Sequence, residues 1–589
     1  MKLRKQSRSL GSSFVGALLV TLLLAACAAP AAPAAPTTAP AADPTAAPAA
    51  AAPTAAPAAP AAPTAVPAVE EEPGTLTFAT ANPWGTYSPF RPTYQYGYSS
   101  NSIAMLTHSR LIDLDHKNEP HGDLATSWEV SDDATIYTFK LRTDAKWHDG
   151  KPVTAKDVEA TIRFILTKAT NINPTRWISA VKGAQNFYDT GSFRVPSSEL
   201  PGVELVDDYT IKFTLEKPKI SWHLTAIPDL QILPAHILRD VKPEAIVEHH
   251  APAWYKAEMN LGSGPFKFVR AERDKFVELV RNDGYYGGKP KLGRIFFKNF
   301  GGPDTTFIAM QKGELDVWTV TQDFYEQVQG LENVNINLVD RNYIRAFLLH
   351  YESPKLADKR VRQALAYAID REGICATLYS GLCKPYNSYM ETGSWLKPGL
   401  NQYEYNPEKA KELLAAAEAD GKWDPKNELK VIWYYAGALH EDIMAAIQQN
   451  LADVGIKTQL KFTEGTAIAD VAKKCDFDML YQGWGFSFPE DYDSFFTDSE
   501  RCTSPWGDPE VAALFEKTVT TVDEAARRAI HDEIQVKLNE ELPMMPFLQF
   551  VGISAINKRV TGFDKDALWN QHYPWGNGYN NAVNWTAAP

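Results

Sequence analysis

From Thr75 onward, apolar and polar positions follow two different rhythms, and the changes between them mark out strands and helices. In "IYTFKLR", Tyr137, Phe139 and Leu141 alternate with Thr138, Lys140 and Arg142, the period of a strand with one buried face. "IKFTLEK" repeats the pattern with Ile211, Phe213 and Leu215. In "DKRVRQALAYAIDREGI" the apolar positions Val361, Ala364, Leu365, Ala368 and Ile369 fall at helical spacing and form one stripe for a core. Two helix starts carry caps: Thr154 with Asp157 three residues on, and Asn406 followed by Pro407, with Gly421 past the end of that second helix. "LKVIWYY", "ALHEDIMAAIQQNLADVG" and "IKTQLKF" then read as strand, helix and strand, with Gly455 closing the helix. A βαβ unit of this length predicts a parallel sheet covered by helices. "FDMLYQGW" reads as a further strand.

The first 73 residues break both rhythms. Lys2, Arg4, Lys5 and Arg8 precede the apolar run "FVGALLVTLLLAA", the layout of a secretory signal over residues 1–26. The junction "LAAC", Leu24 to Cys27, resembles the lipobox of bacterial lipoproteins, which implies cleavage before Cys27 and acylation of its thiol. Lipid on Cys27 would hold the chain on the outer face of the cytoplasmic membrane, at a cell surface or in a periplasm, since two or more acyl chains anchor stably where one does so marginally. Residues 28–73 are almost only Ala, Pro and Thr, a composition unable to bury a core, so 27–73 is expected to be a lipidated Cys and a spacer. Extended at about 3.1 Å per residue, it would reach on the order of 140 Å.

A chain of 589 residues is too long for one core, so several domains are expected in the remainder. The formal net charge is −13, and loss of the four basic residues of the leader makes the mature chain more acidic still. That argues against a nucleic-acid partner, which needs a basic footprint. Cys375, Cys383, Cys475 and Cys502 remain, an even number in an exported chain. Of three pairings, Cys375 with Cys383 and Cys475 with Cys502 keep each bridge local; the spacings do not suggest zinc, and no cofactor is expected.

Candidate chemistry concentrates after the "FDMLYQGW" strand, where "GWGFSFPEDYDSFF" packs three acids and six aromatic rings into fourteen residues. Ligands of open α/β sheets bind beyond the carboxyl ends of strands, so Gly483 to Phe496 is expected to line a cleft. Glu490, Asp491 and Asp493 lie too close together to straddle a scissile bond, as an exported hydrolase would require. As a calcium loop, Asp491 and Asp493 match two ligand positions, but Phe495 occupies the third. As a binding wall, Trp484, Phe486, Phe488 and Tyr492 offer stacking faces and one acid can pair with a cation. Elsewhere His148 and Asp149 adjoin, but Asp149-Gly150 is a turn signal and sequence neighbours seldom face each other, so they are read as turn residues.

Seven blocks in order resemble the extracellular solute-binding proteins of family 5, the peptide and nickel class that feeds ABC importers. They are "GDLATSWEVSDDATIYTFKLRTDAKWHDGKPVTAKDV", "GSGPFKFV", "LVRNDGYYGGKPKLGRIFFK", "MQKGELDV", "RVRQALAYAIDREGI", "YNPEKAKELL" and "DFDMLYQGW". Ala134 stands where the family commonly has Gly, and "MLTHSRLIDLD" replaces its usual "YEGL" phrase. The resemblance implies an α/β, two-lobed fold of the periplasmic-binding-protein type II kind, in three domains with a cleft between lobes. Domain I would comprise 74–118, 259–341 and 543–589, domain II 119–258, and domain III 342–542. It also implies a non-enzymatic, monomeric receptor that hands a captured peptide, or in some members an oligosaccharide, to membrane permease subunits. Aligning "DYDSFF" with "DPDNFF" of dipeptide receptors puts Asp491 where their acid pairs with the ligand's ammonium, with Glu490 and Asp493 as alternatives. Oligopeptide receptors place that acid where this chain has Phe488, and no equivalent of an Arg for the ligand's carboxylate is evident.

Overall fold

The computed structural model describes residues 74–588 except 81–97, 116–118, 171, 173, 196–198, 242–259, 273, 351–352, 391–394, 466, 485–507 and 564–580. Cys27 and the spacer therefore lie outside the described residues. None of the described helices is long and apolar enough to cross a membrane.

Strand β1 (Thr75–Ala79) opens the fold and is followed by a small antiparallel sheet of β2 (Ala125–Val130), β3 (Ile136–Leu141), β4 (Val203–Asp207) and β5 (Thr210–Thr214), in the order β2-β3-β5-β4. The alternation in "IYTFKLR" and "IKFTLEK" is realised: Tyr137, Phe139, Ile211 and Phe213 are fully buried, while their neighbours face outward. Helix α1 (Ala155–Ile165) covers the sheet and begins with a reciprocal cap, the Thr154 amide donating to Asp157 Oδ2 at 2.8 Å. Trp177, Trp222, Phe213 and Tyr137 fill the space below with ring centroids 5.1 to 5.8 Å apart, the edge-on or tilted contacts that ring quadrupoles favour.

The chain then returns to the sheet that holds β1, adding β6 (Phe266–Glu272), β7 (Phe276–Arg281), β8 (Arg294–Lys298), β9 (Val317–Val320) and the long β10 (Val334–Leu349). Helices α2 (Lys359–Ala368) and α3 (Arg371–Leu378) follow, then β11 (Cys383–Pro385), α4 (Pro407–Ala419), β12 (Glu428–Trp433), α5 (Ala438–Asp453), β13 (Lys457–Phe462) and β14 (Met479–Trp484). Helices α6 (Pro509–Thr520) and α7 (Glu524–Glu541) lead into a second long strand, β15 (Met544–Asn557). The strand order is β13-β12-β14-β10-β15-β9-β1-β8-β7-β6, with β11 paired to β15.

The expected stripe of α2 is buried from Val361 to Ile369, and Asn406 caps α4 by accepting from the Lys409 amide at 2.9 Å. The predicted βαβ unit is present, β12 running parallel to both β13 and β14. The sheet as a whole is mixed rather than parallel. Strands β10 and β15 are antiparallel to each other and to β14 and β9 respectively, because each runs through the middle of the sheet and belongs to both of its halves. The N-terminal half of β10 pairs with Val551–Asn557, and its C-terminal half with Met544–Gln549; between Asp340 and Ile344 the register shifts. On one side of that shift β15 adjoins β9 through Ile553–Ile556, and on the other it adjoins β11 through Leu548–Phe550. Two continuous strands thus connect the halves, and Met544–Phe550 pairs with the half that holds β14.

A disulfide joins Cys375 and Cys383, with Cα atoms 5.7 Å apart. Cys475 is also disulfide-bonded; Cys502, its expected partner, lies outside the described residues.

Candidate functional site

The carboxyl ends of β12 and β14 and the middle of β10 meet at one corner of the sheet, and the side chains there are unlike those around them. The "YIRAFLL" segment of β10 is apolar except at Arg345: Ile344, Ala346, Phe347, Leu348 and Leu349 are all fully buried. Period two places Arg345 on the same face as Phe347 and Leu349, at the edge of the core formed with α2, α3 and α5. The guanidinium carbon lies 3.5 Å from the ring centroid of Tyr435, 4.8 Å from Tyr343, 5.7 Å from Phe550 and 5.9 Å from Tyr481. Such stacking holds a planar cation by its faces and leaves its N–H edges for hydrogen bonds.

Those edges are scarcely used. Arg345 Nη1 donates to the Tyr343 hydroxyl, whereas Nε has no partner among the described residues, and no described carboxylate pairs with the side chain. Two buried arginines are handled differently. Arg371 donates to the carbonyls of Tyr386, Gln402 and Tyr403, and burial pulls its pKa down to about 10. Arg362 donates to the carbonyls of Leu356, Ala357 and Glu541 and to the Glu541 carboxylate. A guanidinium has five donors, and leaving them unsatisfied in a buried place is costly.

Around Arg345 the polar groups form a chain. The Tyr343 hydroxyl, which accepts from Arg345, lies 3.2 Å from that of Tyr435, and the Tyr435 and Tyr434 hydroxyls are 2.8 Å apart. Helix α5 starts beside this chain with Gly437 at its cap and no side-chain acceptor on its first amides. His440, in its first turn, packs against Tyr435 with ring centroids 5.2 Å apart. Burial, followed by the Arg345 charge, lowers its pKa to about 4, so the ring is neutral at pH 7, and its Nδ1 lacks a partner among the described residues. The corner therefore carries one positive charge rather than two. Gly483 on β14 pairs with Arg345, and a Cβ there would collide with both the Arg345 guanidinium and the Tyr343 hydroxyl, so a side chain at 483 would displace the cluster as it stands.

Of the residues singled out in the sequence, Trp484 is the last residue of β14, its backbone paired with Ile344, so the strand that precedes the acidic stretch ends at this corner. Phe486, Phe488, Glu490, Asp491, Tyr492 and Asp493 lie outside the described residues. His148 and Asp149 occupy a turn with their polar atoms engaged. The Gly262 amide donates to His148 Nδ1, His148 Nε2 sits 3.1 Å from the Gly264 carbonyl, and Asp149 bonds His236 and Lys151. Among the described residues no cluster of His, Cys, Asp and Glu could hold a metal ion. Sequence reasoning missed Arg345, Tyr343, Tyr435, His440 and Gly483. The signal was there in one place, a single cation inside an otherwise apolar strand run.

Comparison with known proteins identifies the family of the chain. Residues 119–502 match the model for bacterial extracellular solute-binding proteins, family 5 Middle. The oligopeptide-binding protein AppA of Bacillus subtilis is 28% identical over 424 residues, covering 69% of this chain and 73% of that protein. A relative from Brucella ovis is 32% identical over 343 residues, or 57% of this chain, and the match spans 59% of that relative's own length. The crystal structure of the ABC transporter substrate-binding protein CtaP of Listeria monocytogenes superposes with a TM-score of 0.73 at 25% identity, covering 88% of this chain and all of that one.

Proposed function

Because this chain belongs to the bacterial extracellular solute-binding proteins of family 5, we propose that it is the peptide-capturing component of an ABC importer, anchored by lipid on Cys27 and delivering short peptides to membrane permease subunits. The observation that carries the reading is the corner just described: ring faces and unspent hydrogen-bond donors gathered at the carboxyl ends of β12 and β14, next to the two strands that connect the halves of the sheet. The names of relatives such as AppA support peptide as the ligand class. In this reading domain I is 74–118, 259–341 and 543–589, domain II is 119–258, domain III is 342–542, and the lobes close by bending β10 and β15 where their register shifts. Asp491, in the sequence that follows β14, pairs with the ligand's ammonium.

A receptor captures without turnover. Incubating the mature protein with mixtures of short peptides and cello-oligosaccharides, followed by native mass spectrometry, is expected to show reversible one-to-one peptide adducts and unchanged ligand masses. At a hundredfold excess over Kd a bound ligand adds about 2.7 kcal/mol to stability. Sugar adducts alone would replace peptide by oligosaccharide, and cleavage products would make the protein a hydrolase. In the same assay Asp491→Asn is expected to weaken free-amino peptides far more than N-acetylated ones; equal loss for both rejects the ammonium assignment.

A further inference from the structure

The peptide reading leaves open how the ligand's own charge is met, and the Arg345 corner answers it. Arg345 stacks on Tyr435 at 3.5 Å and spends one donor on the Tyr343 hydroxyl. The remaining donors meet neither carboxylate nor carbonyl among the described residues, in contrast to Arg362 and Arg371, whose acceptors are supplied by the fold. A side chain that merely filled space here would not need a charge, and a structural cation would be given an acceptor, since an unpaired charge in a partly buried site is destabilising. The rest of the corner also favours an incoming anion. The uncapped start of α5 presents backbone amides, and His440 next to it is neutral, so it does not need a second counter-charge. Gly483 keeps the floor clear for the guanidinium.

We propose that Arg345, held in its tyrosine collar, is a specificity-determining binding residue that receives a carboxylate of the peptide ligand. The planar fork matches two carboxylate oxygens, and the stack on Tyr435 fixes its plane before the ligand arrives, which limits the ordering cost of binding. The carboxylate can belong to the peptide's C-terminus or to an acidic side chain. The chemistry at Arg345 is the same for both.

The inference rests on the peptide reading, and the two can fail separately. Titration calorimetry on the mature protein uses three probes: tri-alanine, tri-alanine amide, and Ala-Glu-Ala amide. A charge-assisted bond in such a site is expected to make tri-alanine bind at least about tenfold more tightly than its amide. Arg345→Gln is expected to bring that ratio below about threefold, with the affinity for the amide little changed. Arg345→Lys keeps a charge but loses the planar fork, and is expected to fall between the two; it serves as the test should Arg345→Gln not fold, as judged by circular dichroism. If Ala-Glu-Ala amide recovers Arg345-dependent binding, the acidic side chain is the group; if it behaves like tri-alanine amide, the C-terminus is. Equal binding of all three probes by the wild-type protein, or a carboxylate preference preserved in both variants, overturns the inference and leaves peptide capture standing. Absence of binding by all three probes overturns both.

Discussion

Two arginines at the two ends of the central strands do opposite things. Arg559, just past β15, donates from Nε and Nη2 to both oxygens of Asp316 at 2.7 Å, and gives two further donors to the Thr75 and Ala588 carbonyls. Asp316 also accepts from the Thr77 amide at 2.8 Å, so one ion pair ties β1, the start of β9 and the chain's final residues together. Arg345 has rings where Arg559 has acceptors. The residue type is the same, yet one is closed by the fold and the other is left for something else. What separates them is the bookkeeping of donors, not burial or charge alone.

The largest effect tests the closed side. Asp316 is almost fully buried, so Arg559→Met leaves a carboxylate without its counter-charge, and removing one partner of such a pair typically costs about 3–5 kcal/mol. Urea denaturation of the ligand-free protein should show that loss, and Asp316→Asn in the same chain should return part of it. Arg345 substitutions should show no comparable drop, because no pair is broken there. A loss at Arg345 as large as that at Arg559 would erase the contrast.

Acid gives a second, smaller separation. His108, His148 and His223, all in the part of the chain around the small sheet, are pulled down to about 3, 4 and 4, in each case chiefly by burial. With folded values below the ordinary 6.5, the unfolded chain binds more protons, so their contribution is complete above about pH 6.5 and is lost as pH falls through that value toward 4. Asp123, raised to about 6 by burial, and Asp157, raised by the same cause, act in the opposite sense. The imidazoles outnumber them, and ligand-free stability is expected to fall from pH 7 to pH 5, by about 1.4 kcal/mol per pH unit for each uncompensated proton. Peptide affinity should stay level over the same range, since Arg345 does not titrate and His440 remains neutral until about 4. Stability that is flat or rises on acidification would contradict the first half, and affinity that follows stability would contradict the second.

The same contrast explains what could be read from the sequence. Periodicity was sufficient for "IYTFKLR", for the stripe of α2 and for the βαβ unit, because each is a local pattern whose buried face is decided by its own residues. The mixed character of the sheet was not legible, because β10 and β15 owe their direction to partners distant in sequence, as Leu349 opposite Met479 and Leu348 opposite Met544 show. The "WHDG" turn is conspicuous in sequence and closed in structure, with His148 and Asp149 engaged by backbone and neighbours. Arg345 is inconspicuous in sequence and open in structure. A charge that interrupts an apolar strand reveals that it is held in place, while its missing acceptors appear only once the neighbouring strands are assembled.

The smallest effect concerns Ala134, at the turn between β2 and β3. Its φ is 51°, in the left-handed region, and its side chain is fully buried. An alanine there carries about 1–2 kcal/mol of backbone strain that glycine would relieve. Glycine would in turn add about 0.4–1 kcal/mol of unfolded-state entropy and give up one buried methyl, about 0.8 kcal/mol. These contributions nearly cancel, so Ala134→Gly is expected to leave stability within about 0.5 kcal/mol of the wild type in urea denaturation. The Ala134 amide donates to the Ser131 carbonyl at 2.8 Å, and the Lys219 amide donates to the Ala134 carbonyl at 3.1 Å, so the turn is held by bonds that both residues can make. A gain well above 1 kcal/mol would mean that the strain is not offset by the buried methyl, and would place an unrelieved local cost at this turn.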